Sequence, residues 1–334
     1  MKNKKLYPWI VVGLLWVVAL LNYMDRQMLS TMKSAMMVDI VELESAANFG
    51  RLMAVFLWIY GFMSPVAGMV ADRVNRKWLI VGSLFVWSFV TLMMGYCTDF
   101  NQIYYLRALM GVSEALYIPA GLSLITDYHQ EKTRSLAVGI HMTGLYVGQA
   151  LGGFGATVAS AYTWETTFHW FGIIGIAYSV VLIIFLHDKK DHGVIAGGIL
   201  SDKWIQRNVR GRVYTGAIGL ALTIPSLLLL GFGHNFPMII GGGLCFGIGY
   251  GIFDANNMPI LCQFISPRYR ATAYGIMNMT GVFAGAAITD ILGKSTDAGN
   301  LGHDFAMLAG LVLIALLIQV IFLRPKVANM TDEC

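Results

Sequence analysis

Long apolar runs, broken at intervals by short polar stretches, make up most of this sequence. A helix needs about 20 predominantly apolar residues to cross a bilayer core. By that measure ten spans are predicted, near 8–31, 50–71, 78–97, 102–126, 134–158, 167–187, 212–233, 236–264, 271–292 and 304–323. Lys and Arg gather at 2–5, 73–77, 132–134, 189–190, 203–212, 268–270 and 324–326, at alternate ends of successive spans. Cytoplasmic loops of membrane proteins carry such an excess, so one orientation satisfies every loop and places both termini in the cytoplasm. The opposite loops hold few bases: Lys33, Arg51 and Lys294.

Composition agrees. Hydrophobic residues make up 57% of the chain and charged residues 13%, and mean hydropathy is +0.64. Soluble domains are about 45–50% apolar and about a quarter charged. The medium of this protein is therefore the lipid bilayer, and no nucleic-acid partner is expected. Cys97, Cys245, Cys262 and Cys334 are scattered without metal or redox spacing, so no metal and no cofactor is expected. No paired acids with metal-ligand spacing and no nucleophile–base motif appear, so an enzyme is not expected either. Lys2, Lys4 and Lys5 ahead of the first run resemble the start of a signal peptide. That run is too long and lacks a small-residue cleavage site, so it is read as the first span.

One charged stretch between two spans recurs. It reads Gly68-Met-Val-Ala-Asp72-Arg73-Val-Asn-Arg76-Lys77, and returns as Gly198-Ile-Leu-Ser-Asp202-Lys203-Trp-Ile-Gln206-Arg207. In both, Gly precedes Asp by four residues, a base follows directly, and another base comes five residues after the Asp. A repeated loop implies a repeated bundle. The pair resembles the major facilitator superfamily, whose two six-helix halves each carry this loop between their second and third helices. The resemblance implies an all-α polytopic fold of two pseudo-symmetric halves, here 1–192 and 193–334, and a role for Gly68, Asp72, Arg73, Arg76, Asp202, Lys203 and Arg207 as a conformational latch. In a cytoplasm-closed state these charges would tie the loop to the dipole ends of neighbouring helices; setting topology is the plainer role, and both can hold.

The halves differ in length. Two complete spans precede Asp72, whereas between Asp188 and Asp202 there is room only for the apolar stub Gly193–Leu200. Helix 7 and most of helix 8 of a twelve-helix plan are thus absent. Such a hairpin starts and ends in the cytoplasm, so its loss leaves every other orientation intact. The chain is either a ten-helix variant or one from which a central segment has been omitted, and the stub favours omission. With one cavity wall lacking, the chain is expected not to transport as it stands.

Charges within a span are expensive and mark function by default. The first span holds Asn22-Tyr23-Met24-Asp25-Arg26, and the fourth holds Arg107 and Glu114. A separation of seven is two helical turns, which puts Arg107 and Glu114 on one face. Two acids and two bases can neutralise one another when empty, and a protonated acid releases an Arg to grip an anion. A permanent ion-pair network that fixes helix packing is the alternative. These residues, with Phe56-Leu-Trp58-Ile-Tyr60, resemble the anion:cation symporter branch of the superfamily, which carries sugar acids, hexuronates and sialic acid. The resemblance implies proton coupling at Asp25 and Glu114, carboxylate binding at Arg26 and Arg107, and a sugar site lined by Tyr23 and Tyr60. Spinster-like lipid transporters share Asn75-Arg76-Lys77 and Gly111-Val-Ser-Glu114-Ala115, and stand second.

Other polar positions are weaker candidates. Gly144, Gly148 and Gly152 in the fifth span allow close helix approach. The spacing resembles the superfamily's antiporter motif, but Gln149 stands where that motif has Pro, and its amide suits a sugar hydroxyl. His141 fits either a proton relay or a hydrogen-bonded interior imidazole. Asp254-Ala-Asn256-Asn257-Met-Pro259 interrupts the tenth span, and amides beside a proline kink often face a cavity, so Asn256 and Asn257 are candidate ligands. The expected function is proton-coupled symport of a small organic anion, most simply a sugar acid, by a monomer using alternating access. The alternatives are a lysolipid carrier and, from another class, a non-transporting sensor or scaffold. Minimal termini and Met-rich spans point to a bacterial inner membrane.

Overall fold

The computed structural model describes residues 6–129, 133–188, 210–233, 235–297 and 301–325. Among these, regular structure is helical throughout. The first six predicted spans correspond to α1 (Tyr7–Thr31), α2 (Ala46–Arg73), α3 (Arg76–Met94), α4 with α5 (Phe100–Ala115, Tyr117–Tyr128), α6 with α7 (Arg134–Gly152, Gly155–Ala161) and α8 (Trp164–Phe185). The remaining four are α9 (Gly211–Phe232), α10 (Phe236–Leu261), α11 (Arg270–Asp297) and α12 (Leu301–Phe322). Eight segments are long and apolar enough to cross a membrane by length and composition; α6 and α11 are not among them. Arg134, His141, Gln149 and four glycines lower the hydropathy of α6, and Arg270, Asp290, Lys294, Asp297 and four threonines lower that of α11. The second loop signature, with Asp202, Lys203 and Arg207, lies outside the described residues.

Short polar residues start the helices as the sequence allows. Asn75 accepts from Trp78 N at 3.4 Å, Asp99 from Gln102 N at 3.0 Å and Thr163 from Thr166 N at 3.1 Å, each satisfying an amide that has no partner within the helix. The fourth span breaks at Leu116 because Pro119 has no N–H to offer the Ala115 carbonyl. Pro259, by contrast, does not end α10, which continues to Leu261. It falls in the last turn, where few hydrogen bonds remain to be lost.

The described chain forms two units. The first comprises Met1–Tyr128, Ile140–Asp191 and Arg268–Phe283. Within it α1 and α6 meet backbone to backbone. A Cβ on Gly144 would lie 2.6 Å from the Trp16 carbonyl oxygen, one on Gly148 would fall on the Leu20 carbonyl, and one on Gly152 would lie 2.7 Å from that of Met24. Close approach therefore accounts for all three glycines. The second unit comprises His129–Gly139, His192–Pro267 and Ala284–Cys334. There α9 packs on α10 through Gly219 and Gly249, and Gln319 of α12 donates to the Val213 carbonyl at 2.9 Å.

Candidate functional site

The first unit gathers six of the predicted site residues. Arg26 Nε donates to Glu114 Oε2 at 2.5 Å, and Glu114 is fully buried. The Arg26 guanidinium carbon lies 4.4 Å from the Tyr60 ring centre and 4.8 Å from each of the Tyr23 and Phe56 centres. Three ring faces thus hold the cation in place; each such contact contributes about 0.5–2 kcal/mol. Phe56 also serves Arg107, whose guanidinium carbon is 4.3 Å from the same ring.

Helix geometry explains the arrangement. Asp25 and Arg26 are neighbours on α1 and so point about 100° apart. Arg26 turns to α2 and α4, while Asp25 turns to α3, where Thr91 Oγ1 lies 3.2 Å from its Oδ2. Arg107 and Glu114 share a face of α4, Arg107 over the Phe56 ring of α2 and Glu114 on Arg26 of α1. Arg107 is buried, yet its polar contact is the Met110 thioether at 3.1 Å, and no ion pair among the described residues includes it. A thioether is a weak acceptor.

Three predicted residues lie elsewhere. Gln149 is exposed on α6, one residue past Gly148. Asn256 and Asn257 belong to the second unit and bond within their own helix: Asn256 Nδ2 donates to the Ile252 carbonyl at 2.8 Å and Asn257 Nδ2 to Asp254 Oδ1 at 3.3 Å.

The first loop signature forms a second cluster in the same unit. Asp72 sits at the start of α11, accepting from Ala271 N at 3.1 Å, Thr272 N at 2.8 Å and Thr272 Oγ1 at 2.6 Å. A carboxylate there meets both unsatisfied amides and the positive end of the helix dipole. Gly68 permits the approach, since its Cβ would fall on the Ala271 carbonyl. Arg76 pairs with Asp127, which also lies 3.8 Å from Arg270 Nη1, and the Arg76 amide donates to Asp188 at 3.0 Å. Arg73 is exposed.

Sequence reasoning missed Asp127, Asp188, Thr91 and the double role of Phe56. Asp127 left a signal, being an acid at the inner end of an apolar run facing a basic loop. Thr91 left none, because a threonine inside a span is ordinary.

Membrane-length helices around two acids and two bases, all but Arg26 buried, define a polytopic membrane protein with charges inside its bundle. The family model described as Major Facilitator Superfamily matches residues 15–195 and again 193–332. The chain belongs to that family. It is 27% identical over 315 residues to the "Probable galactarate/D-glucarate transporter GarP" of Escherichia coli (strain K12), covering 91% of this chain and 68% of that one. It is 28% identical over 245 residues to "Protein spinster homolog 1" of Xenopus laevis, covering 70% and 44%. In fold it is similar to the human organic anion transporter MFSD10, with a TM-score of 0.75 at 14% identity over 96% of this chain and 100% of that one. A bacterial spinster homologue in an inward-facing, unoccupied conformation gives 0.56 at 15% identity, covering 100% and 99%.

Proposed function

We propose that the α1–α4 charge set binds the carboxylate of a small organic anion, most simply a sugar acid of the galactarate or glucarate type, and couples that binding to a proton. The chain would then serve proton-coupled symport by alternating access. One observation carries the reading: Arg107 is a buried guanidinium with no carboxylate partner among the described residues, set beside an Arg26 that already has one. Burying a charge without a counter-ion costs several kcal/mol, so a site holding one favours an arriving anion.

The remaining groups supply the coupling. A proton added to Glu114 removes the charge that holds Arg26 and leaves its guanidinium boxed by Tyr23, Phe56 and Tyr60. Both Arg forks are then available, and each can meet a carboxylate through two parallel hydrogen bonds. Tyr23 and Tyr60 would line the sugar. Thr91 links Asp25 to the same chemistry. Its single hydroxyl proton lies within reach of the Trp87 carbonyl at 3.0 Å and of Asp25 at 3.2 Å. When the hydroxyl serves the carbonyl, the contact with Asp25 suits a carboxyl that brings its own proton. When Asp25 is ionised, the hydroxyl turns to it. Gly68, Asp72, Arg73, Arg76, Asp202, Lys203 and Arg207 form the proposed latch.

Binding to the purified chain tests this without requiring flux. Glucarate should bind and draw protons from a weakly buffered solution. Arg107→Gln should weaken binding by about a hundredfold, the equivalent of one charge-assisted contact of about 3 kcal/mol. Glu114→Gln should keep binding and lose proton uptake. Lysolipid binding that glucarate fails to displace would overturn the sugar-acid reading in favour of an amphiphile carrier.

A further inference from the structure

Four buried polar side chains in the first unit are used neither by the charge set nor by the latch. Asn22 of α1, Trp87 of α3, Tyr117 of α5 and His141 of α6 are all 0% exposed. Both amide atoms of Asn22 and the indole N–H of Trp87 are buried without a hydrogen-bond partner. The Tyr117 hydroxyl donates to the Leu15 carbonyl at 2.7 Å, and the His141 ring faces that same carbonyl. Neither ring nitrogen of His141 has a hydrogen-bond partner among the described residues. The Tyr117 ring lies 5.7 Å from Trp87 and 6.0 Å from His141.

Their heights form a series. Leu15 and Asn22 are seven residues apart on one face of α1, about 10 Å along the axis, and Asp25 is one turn further. Trp87 stands one turn below Thr91 on α3, and Tyr117 one turn past Glu114 on the next helical segment. His141 precedes Gly144, which packs on Trp16, so it lies level with the lower end of the series. Each helix thus places a buried polar group between the Asp25–Glu114 carboxylates and the end of the bundle that carries the basic loops.

We propose that Asn22, Trp87, Tyr117 and His141 line a water-bearing proton path from the basic-loop side to Asp25 and Glu114, with His141 as the relay at its far end. The proposal rests on the proton-coupled reading above and adds the route. A buried polar group left unsatisfied costs about 1–3 kcal/mol, and interior waters with two to four hydrogen bonds relieve such groups. Unsatisfied atoms on Asn22, Trp87 and His141, with the bonded Tyr117 ring between Trp87 and His141, point to water held in file. Neutral imidazole donates from one nitrogen and accepts at the other. The loop-side ring nitrogen of His141 takes a proton, the opposite nitrogen then releases its own into the water file, successive hops deliver it to a carboxylate, and a ring flip restores the starting tautomer. The ring ends neutral and no electron moves. Facing groups do not compete for this role: Tyr117 and Tyr178 present hydroxyls, the latter bonded to the Leu14 carbonyl at 2.9 Å, and no ion pair among the described residues includes His141.

The test is stopped-flow proton uptake by the full purified chain on mixing with saturating glucarate, read by a pH dye. His141→Gln and Asn22→Leu, each confirmed monodisperse, should slow uptake at least about tenfold, as removal of a proton-transfer group does, with glucarate affinity at fixed pH unchanged. Wild-type uptake rates in both variants would overturn the path and leave the proton-coupled reading standing. A loss of affinity matching the loss of rate would show a packing role and also overturn it. No proton uptake by the wild type would remove the coupled reading and the path together.

Discussion

Replacing Asp72 tests whether the loop signature acts as a latch. The carboxylate accepts three hydrogen bonds at the N-terminus of α11, at 3.1, 2.8 and 2.6 Å. Loss of a capping side chain costs about 0.5–2 kcal/mol, and loss of charge at a helix N-terminus a further 0.3–1 kcal/mol or so. Asp72→Ala should therefore weaken the closed arrangement by about 1–3 kcal/mol, or roughly 5- to 150-fold in the closed-to-open ratio, at 1.36 kcal/mol per tenfold. Ser64 of α2 and Asn278 of α11 report the result, because Asn278 Nδ2 donates to Ser64 Oγ at 2.9 Å. A Ser64→Cys, Asn278→Cys pair, made with Cys97, Cys245, Cys262 and Cys334 replaced, should cross-link readily in the parent. Asp72→Ala should lower the cross-linking rate at least about fivefold, at the low end of that range. Thr272→Val, which removes one of the three bonds, should fall between. A rate in Asp72→Ala equal to the parent's would refute the latch and leave the stretch as a topology signal.

Two further outcomes follow from packing. Gly148→Val forces a branched side chain onto the Leu20 carbonyl; overpacking costs about 1–3 kcal/mol, so the melting temperature in detergent should drop by roughly 2–5 °C. Gly13→Ala, where nothing among the described residues lies within 4 Å of the added carbon, should hold or raise it, and equal melting of the two variants would contradict the close approach of α1 and α6. The second outcome concerns flux. Aligning Arg134 with Arg270 and Gly139 with Gly275 places Gly281 and Gly285 one residue beyond the equivalents of Gly144 and Gly148. The α6 glycines are covered by α1, whereas a Cβ added at Gly281 would meet nothing among the described residues within 4 Å. The helix that would repeat α1 is one of the two the sequence lacks. Proteoliposomes of this chain should therefore bind glucarate without accumulating it, and inserting helices 7 and 8 of GarP between residues 192 and 193 should restore uptake. Robust uptake by the unaltered chain would refute the missing-wall argument, and binding without flux even after insertion would favour a sensor.

Much of this was legible because lipid imposes strict rules. Backbone groups in hydrocarbon must bond internally, so an apolar run of the right length is a helix, and the ten predicted spans fall where the long helices lie. The Arg107–Glu114 spacing was readable for the same reason, since helical periodicity fixes a face. What periodicity cannot give is the partner of a face. Nothing in the first span says that Arg26 meets Glu114 while Asp25 meets Thr91, because that depends on how α2, α3 and α4 cross α1. Phe56 was noticed beside Tyr60 in a run of aromatics, but its position under two guanidiniums arises only once α2 packs against α4. Asp127 was overlooked because an acid at the end of a span has an ordinary explanation in solvation, which its pairing with Arg76 replaces.

The pattern of pairing bears on the choice between a working charge set and a structural one. Two acids and two bases buried together could form two salt bridges, and a network selected to fix helix packing would gain from doing so: an unpaired buried charge costs several kcal/mol, and removing one partner of a buried pair costs about 3–5 kcal/mol. Only one such pair forms here among the described residues, Arg26 with Glu114. Asp25 is held by a threonine hydroxyl and Arg107 by a ring face and a thioether, all neutral groups. Glu114 keeps a second oxygen, and Arg26 a terminal nitrogen, buried without partners. The set is neutral in sum and unneutralised in place, so a proton on a carboxylate and an anion on an arginine each relieve a penalty the empty site carries. On the proposed reading the two ligands would relieve it at different ends of the same Arg26–Glu114 contact, and binding of either would then favour binding of the other.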